Sequence, residues 1–367
     1  MFMLAHYVAL RHARYFANRL RDTNELYQAG GEAMKKALLQ FDSDWYQIKH
    51  GQRKCADYAQ EFDNEALELC ICFPHYGNDI LSLRQNPREH LAWLELAIHV
   101  SRQLGQPEKE EKLLGECGTT HRLLGQYLQA RDLHQQALDL SRQLGNRVGE
   151  GVHWSNLGSL YLSQGNYEEA KQYFEKAIGI AHELGDRRGE ATRLGNLGNA
   201  YRNQKLYEQA IDMYNRALTI SRELNDTRNQ SFWLGNLGNV YHNLRRYDQA
   251  ELYFRQTLAI SRDLRDARAE ALALNNLGVT YRVQERFAEA EELYRKALEI
   301  SIAADDPYTE GLALQNLGSI MLVTKHYSQA VSLYESAKIL FQSLHVEHMI
   351  QKIDNLIEKA SGHLTQN

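Results

Sequence analysis

Only four prolines occur in 367 residues, so little interrupts a chain rich in helix formers. Three of them, Pro87, Pro107 and Pro307, follow Asn, Gln or Asp at an expected helix start, the first-turn position that proline tolerates. The fourth, in Phe73-Pro74, is expected to interrupt a helix. Cysteine is equally scarce. Cys55, Cys70, Cys72 and Cys117 lack the spacing of a disulfide framework, which fits a reducing, cytoplasmic setting. No apolar run reaches membrane-spanning length, and the opening Met1-Phe2-Met3-Leu4-Ala5 soon meets Arg11, Arg14 and Arg19, so neither a membrane helix nor a signal peptide is expected. Excess positive charge is missing too: the net charge is −5, and nucleic acid is not an expected partner.

The usual marks of chemistry are also thin. No glycine-rich phosphate loop follows a strand, because the Gly-Asn-Leu-Gly stretches fall inside helices whose amides are already bonded. His345-x2-His348 and Cys70-x-Cys72 have no second pair at metal-ligand spacing. Serines and carboxylates abound without a base or acid that the sequence places beside them. The expectation is a non-enzymatic protein with no metal and no cofactor.

What the chain has is repetition. One unit reads Trp154-x2-Leu157-Gly158-x2-Tyr161, then Tyr167-x2-Ala170-x3-Phe174-x2-Ala177, and it recurs every 40 residues. Small residues hold one position of the first helix (Gly118, Gly158, Gly198, Gly238, Gly278, Gly318) and one of the second (Ala130, Ala170, Ala210, Ala250, Ala290, Ala330). Aromatic rings alternate with them, among them Phe174, Tyr214, Phe254, Tyr294 and Tyr334, so that small and large interdigitate. Asp186, Asp226, Asp266 and Asp306 stand where an N-cap acceptor is wanted, and Gly145 and Gly185 where a helix must stop.

This pattern resembles the tetratricopeptide repeat of two antiparallel helices, lengthened by about six residues from the usual unit of about 34. Units of that length resemble those of kinesin light chains, of spindle-orientation adaptors with Leu-Gly-Asn repeats and of bacterial regulatory proteins. The resemblance implies an all-α fold, a right-handed superhelical solenoid whose repeats touch only their neighbours. The expected plan is a non-repetitive helical region over 1–65, a degenerate unit over 66–106, six units over 107–346, a capping helix over 347–361 and a disordered tail over 362–367. Within the first region, helices are expected over 1–26, 33–41 and 45–58, with Gly30-Gly31 as a break. The wording His12-Ala13-Arg14-Tyr15-Phe16, Gly30-Gly31-Glu32, Phe41-Asp42 and Leu83-Arg84-Gln85 is similar to the segment joining nucleotide-switch modules to repeat arrays in bacterial signal-transduction NTPases.

One residue repeats without a packing reason: Asn156, Asn196, Asn236, Asn276 and Asn316, each before a Leu-Gly pair. Asparagine is a mediocre helix former, so its recurrence on a helix asks for another role. Helical spacing puts Asn199 and Asn203 on the face of Asn196 with Arg202 alongside, and Asn239 and Asn243 on the face of Asn236 with His242 alongside. Because the leucines and tyrosines pack between helices, this face is left to line a concave groove. The resemblance implies that such asparagines reach the main chain of a bound extended peptide, a task suited to an amide's donor and acceptor. The alternative is that they bond neighbouring helices and stiffen the stack. Arg188, Arg228 and Arg268 near helix starts, where they oppose the dipole, and Arg202 and Arg282 near helix ends form either a solvated face or a strip for acidic groups.

The expected partner is therefore a peptide or protein segment, acidic or polar at its centre. Two other readings are the sensor of a nucleotide-dependent switch, with its switch domain in cis or in trans, and a receptor for a small molecule or peptide pheromone.

Overall fold

The structure, a computed structural model, describes residues 2–29, 31–60, 63–344 and 346–364. All eighteen elements among the described residues are α-helices. They fall into two compact units, residues 1–205 and 206–367.

The first unit opens with a long helical hairpin, α1 (Phe2–Gln28) and α2 (Gly31–Ala59). It continues with α3 (Asn64–Tyr76), α4 (Asn78–Arg84) and α5 (Pro87–Gln103). Leu10, Ala13, Ala17 and Leu20 of α1 meet Phe41, Ile48 and Cys55 of α2 and Leu67, Ile71 and Phe73 of α3 in one apolar core. Two expectations change here. The segments 33–41 and 45–58 are one helix, because Asp42 and Ser43 turn to solvent while Phe41, Trp45 and Ile48 keep the helical period and Asp44 pairs with Arg19. Pro74 does not interrupt α3, which runs on to Tyr76 and stops at Gly77. So near the helix end, the proline forfeits one backbone bond and few turns depend on it. The expected break at Gly30-Gly31 falls partly outside the described residues. The rest of this unit is α6 (Pro107–Leu123), α7 (Tyr127–Gln143), α8 (Arg147–Ser163), α9 (Tyr167–Glu183) and α10 (Arg187–Asn203).

The second unit holds α11 (Tyr207–Glu223), α12 (Thr227–Asn243), α13 (Tyr247–Asp263), α14 (Ala267–Val283), α15 (Phe287–Ala303), α16 (Pro307–Val323), α17 (Tyr327–Ser343) and α18 (Glu347–Leu364). The final helix continues three residues beyond the expected 361, and residues 365–367 lie outside the described set.

From α6 to α17 every helix has 17 residues. Three-residue turns complete the 40-residue unit. From α8 on, first helices are capped by side chains: Asp186, Asp226, Asp266 and Asp306 accept from the backbone N–H three residues on, at 2.9, 3.2, 3.0 and 3.3 Å. Second helices make no such bond. In turns of both sorts the middle residue is left-handed, at Gly125, Gly145, Gly165 and Gly185, but also at Arg245, Arg265, Glu285, Asp305 and Lys325, where no glycine supplies that conformation. The same bonds hold both kinds: Asn146 N–H donates to Ser141 at 2.8 Å, and Asp266 N–H to Ser261 at 2.9 Å.

The small positions are contact points. A Cβ on Gly238 would lie 2.5 Å from the ring of Phe254, and one on Gly278 2.7 Å from that of Tyr294. Three residues before Gly238, a Cβ on Gly235 would meet Thr257 only at 3.8 Å. The two glycines should therefore respond oppositely. Gly235→Ala is expected to stabilise by about 0.5–1 kcal/mol through helix propensity. Gly238→Ala should lose about 1–3 kcal/mol because Phe254 must move. Urea unfolding followed by circular dichroism checks this, and stabilisation at both positions would show that Phe254 does not hold Gly238.

Candidate functional site

The asparagines stand on the first helix of each unit, one residue before a buried leucine, and the helix turns them away from that core contact. Asn156, Asn196, Asn276 and Asn316 are half-buried and Asn236 is buried. Their neighbours Asn199 and Asn239 are half-buried, whereas Asn203 and Asn243 end their helices in the open. One rung is an internal staple: Asn316 Nδ2 donates to Asn275 Oδ1 of α14 at 3.2 Å. At Asn156 and Asn276, no side-chain hydrogen bond forms among the described residues.

In the second unit the ladder opens into a cavity of about 390 Å³ between α12 and α14, floored by α13. Asn236, Asn239 and Asn276 line it together with Phe232, Phe254 and Leu272, and Arg228 and Asp266 lie at its margin. Two positions shape it. Position 235 is glycine, as are the equivalent Gly115 and Gly195, where the next two units carry Asn275 and Gln315, so no side chain fills the space. On the floor, Thr257 replaces the alanine found at Ala177, Ala217, Ala297 and Ala337 and adds a hydroxyl, which donates to the Tyr253 carbonyl at 3.0 Å. Ser231 and Ser261 face each other there at 3.4 Å. The result is an apolar recess rimmed by amides and hydroxyls. Its volume is in the usual range for ligand sites.

The cations differ in their surroundings. Arg188 and Arg228 are exposed at helix starts, and Arg268 is committed to Asp306 at 3.4 Å. Arg202, His242 and Arg282 are half-buried near helix ends, outside the cavity lining. His242 is tied through Nδ1 to Thr280 at 3.1 Å, and burial, helped by the charge of Arg282, holds its imidazole below the usual range.

Sequence reading missed two polar groups in the first unit, both on α6. Glu116 occupies the ladder position 40 residues before Asn156. Its Oε2 is sealed from solvent without a partner; burial, aided by the charge of Asp79 and opposed by Lys112, pushes its pKa up to about 8. Glu111 is fully enclosed and accepts from His153 Nε2 at 2.5 Å, Ser141 at 2.8 Å and Asn146 at 3.1 Å. The 40-residue spacing from Glu116 to Asn156 was a visible signal. Nothing local announces a network spanning residues 111 to 153. Among the described residues no group of His, Cys, Asp and Glu is arranged to hold a metal, and no helix is long and apolar enough to cross a membrane. The four thiols are free, and burial pushes Cys70 and Cys117 up to about 12.

Comparison with known families matches the tetratricopeptide repeat model over residues 92–183, 188–263 and 269–338. Curated proteins gave no match. Among solved structures, BtubC (BKLC) from P. vanneervenii is similar over 60% of this chain and 93% of its own, with 21% identity and a TM-score of 0.54. A signal transduction ATPase with numerous domains and a tetratricopeptide repeat sensor, from Pyrococcus horikoshii, is similar over 95% of this chain and 55% of its own, with 15% identity and a TM-score of 0.59. A Rap protein complexed with competence and sporulation factor is similar over 94% of this chain and 98% of its own, with 14% identity and a TM-score of 0.58. At these identities the likeness is one of fold.

Proposed function

Because the chain belongs to the tetratricopeptide-repeat family, we propose that it is a non-enzymatic binding protein that takes an extended peptide segment along its asparagine-bearing helices. The observation that carries this is the recess between α12 and α14, where Asn236, Asn239 and Asn276 surround an apolar floor. A primary amide offers one donor and one acceptor group, which matches a peptide unit whatever its side chain. Neighbouring helices lie about 8–10 Å apart and an extended strand advances about 3.3 Å per residue, so about three ligand residues pass each rung. One ligand side chain can then enter the recess while the main chain stays on the amides. A compact apolar residue suits Phe232, Phe254 and Leu272.

An array of random 12-residue peptides, probed with the labelled protein, tests this. Asn236→Ala with Asn276→Ala should keep full helicity, since alanine is the better helix former. It should also weaken the bound peptides about 10- to 100-fold, two main-chain contacts at about 0.5–1.5 kcal/mol each. Gly235→Gln, which gives α12 the side chain that α16 carries at Gln315, should plug the recess and remove the apolar preference. Unchanged peptide affinity in both variants would end this reading and leave the amides as structural groups.

A further inference from the structure

The outer face of the opening hairpin is apolar where a surface is expected to be polar. Among the described residues the three most exposed large hydrophobic side chains, Tyr46 at 75%, Leu39 at 73% and Leu4 at 68%, all stand on α1 and α2. Tyr7, Val8 and Tyr15 join them. Helical spacing puts Leu4, Val8, Arg11, Tyr15 and Asp22 on one stripe of α1, and Leu39, Tyr46, Arg53 and Asp57 on one stripe of α2. Both stripes turn away from the core that the two helices share with α3. A folded chain rarely leaves so apolar a face bare.

The charges on this face single out what fits it. His12 meets Gln47 at 2.9 Å, Arg19 pairs with Asp44, and Gln40 donates to Thr23 at 2.7 Å, so residues 16–17 of α1 stand level with residues 45–47 of α2. About that level the charges are mirrored with opposite sign. On α1, Arg11 lies as far to one side as Asp22 lies to the other; on α2, Arg53 answers Asp42 and Lys36 answers Asp57. The midpoints of these pairs are 16–17 on α1 and 46–48 on α2, within about a residue of the shared level. All six side chains are exposed. Arg11, Lys36 and Arg53 are in no ion pair among the described residues. The acids have only surface partners, Asp22 with Arg21 at 3.2 Å, Asp42 with Arg84 at 3.4 Å and Asp57 with Lys54 at 3.8 Å, and such pairs contribute little.

A surface whose charges change sign across its centre is complementary to itself after a half-turn about that centre. We infer that α1 and α2 form a homodimer face, on which a second copy lies antiparallel with the two-fold axis beside Tyr46. Arg11 then meets the partner's Asp22, Arg53 the partner's Asp42 and Lys36 the partner's Asp57. Tyr15 and Tyr46 of both copies come together at the centre, aromatic anchors inside a charged rim. The area is sufficient. Helices of 27 and 29 residues are about 40 Å long, two abreast span about 20 Å, and the resulting area of about 800 Å² per copy is the usual size of a stable interface. Peptide binding plays no part in it.

Sedimentation velocity of the full chain from about 0.5 to about 50 µM tests this, a range suited to an interface of that size. Wild-type protein should approach twice the chain's 42.4 kDa as concentration rises. Tyr46→Glu sets two like charges beside the axis and should weaken the dimer about 100-fold or more. Arg11→Glu alone, or Asp22→Arg alone, opposes like charges at both symmetry-related contacts and should weaken it about tenfold. An equal mixture of those two single variants matches every contact again and should re-form the dimer with wild-type affinity, as should the double variant. Circular dichroism should not differ among them, since every changed side chain is exposed. Wild-type protein that stays monomeric throughout overturns the inference and leaves the face to a different partner. A dimer that Tyr46→Glu and Arg11→Glu leave unchanged overturns it too, because the contact then lies elsewhere. A mixture of the single variants that stays monomeric overturns the antiparallel pairing.

Discussion

Glu111→Ala is expected to cost about 3–5 kcal/mol at neutral pH, because it leaves buried His153 and Ser141, and half-buried Asn146, without the carboxylate they share. Burial alone would push the Glu111 carboxyl up. The hydrogen bonds from His153 and Ser141, then the charge of His153 and the bond from Asn146, outweigh it, and the group sits below the ordinary carboxylate range. Its stabilisation is therefore present above the unfolded value of about 4.5 and is lost as pH falls through the lower folded value. Neighbouring repeats are coupled only locally, so the loss should concentrate near the mutation. Hydrogen exchange should show deprotection of residues 107–163 at pH 7, with the difference between variant and parent shrinking in acid. A variant that exchanges like the parent at pH 7 would mean that the network contributes nothing to the array.

Glu116→Gln should do the reverse, gaining stability, and only at high pH. Unfolded, this carboxyl ionises near 4.5; folded, burial keeps its proton up to about 8. The folded state thus holds an extra proton between those values, and stability falls as pH rises through the window. Glutamine carries the same shape without the ionisation, as an amide in line with the asparagines that follow. At pH 9 the variant should exceed the parent by several kcal/mol, since each tenfold change in the protonation equilibrium is worth about 1.4 kcal/mol. At pH 4 the two should melt together. Denaturant unfolding across that range checks it, and parallel pH profiles would show that Glu116 ionises freely in the folded protein. Two glutamates five residues apart on one helix would then titrate in opposite senses, one supported by partners and the other sealed away from them.

Neither behaviour can be read from Glu111 and Glu116 as letters. Both are glutamates on the first helix of a unit, and their difference lies in what approaches them. His153 reaches Glu111 from 42 residues away. The asparagine ladder shows the same division. Its period and its helical face were legible, since they need only 40-residue spacing and the geometry of one helix. Its occupancy was not. Asn316 is tied to Asn275, while Asn236, Asn239 and Asn276 border an open recess. The recess turns on Gly235, which in sequence looks like one more packing glycine beside Gly238.

The sequence by itself determined the all-α class, the 40-residue unit, the aspartate caps and the pairing of small residues with rings. Each of these is local, set within a helix turn or by residues that must meet wherever one unit repeats. Only the tertiary structure decided which turns go left-handed without glycine, as at Arg265, Glu285 and Lys325, because bonds back to the preceding helix hold the backbone there. It also decided which arginines find a carboxylate and which amides are tied to a neighbouring helix. Several of those outcomes, such as Arg268 with Asp306, Arg286 with Glu251 and Asn316 with Asn275, depend on side chains far apart in sequence arriving within hydrogen-bond reach of about 3 Å.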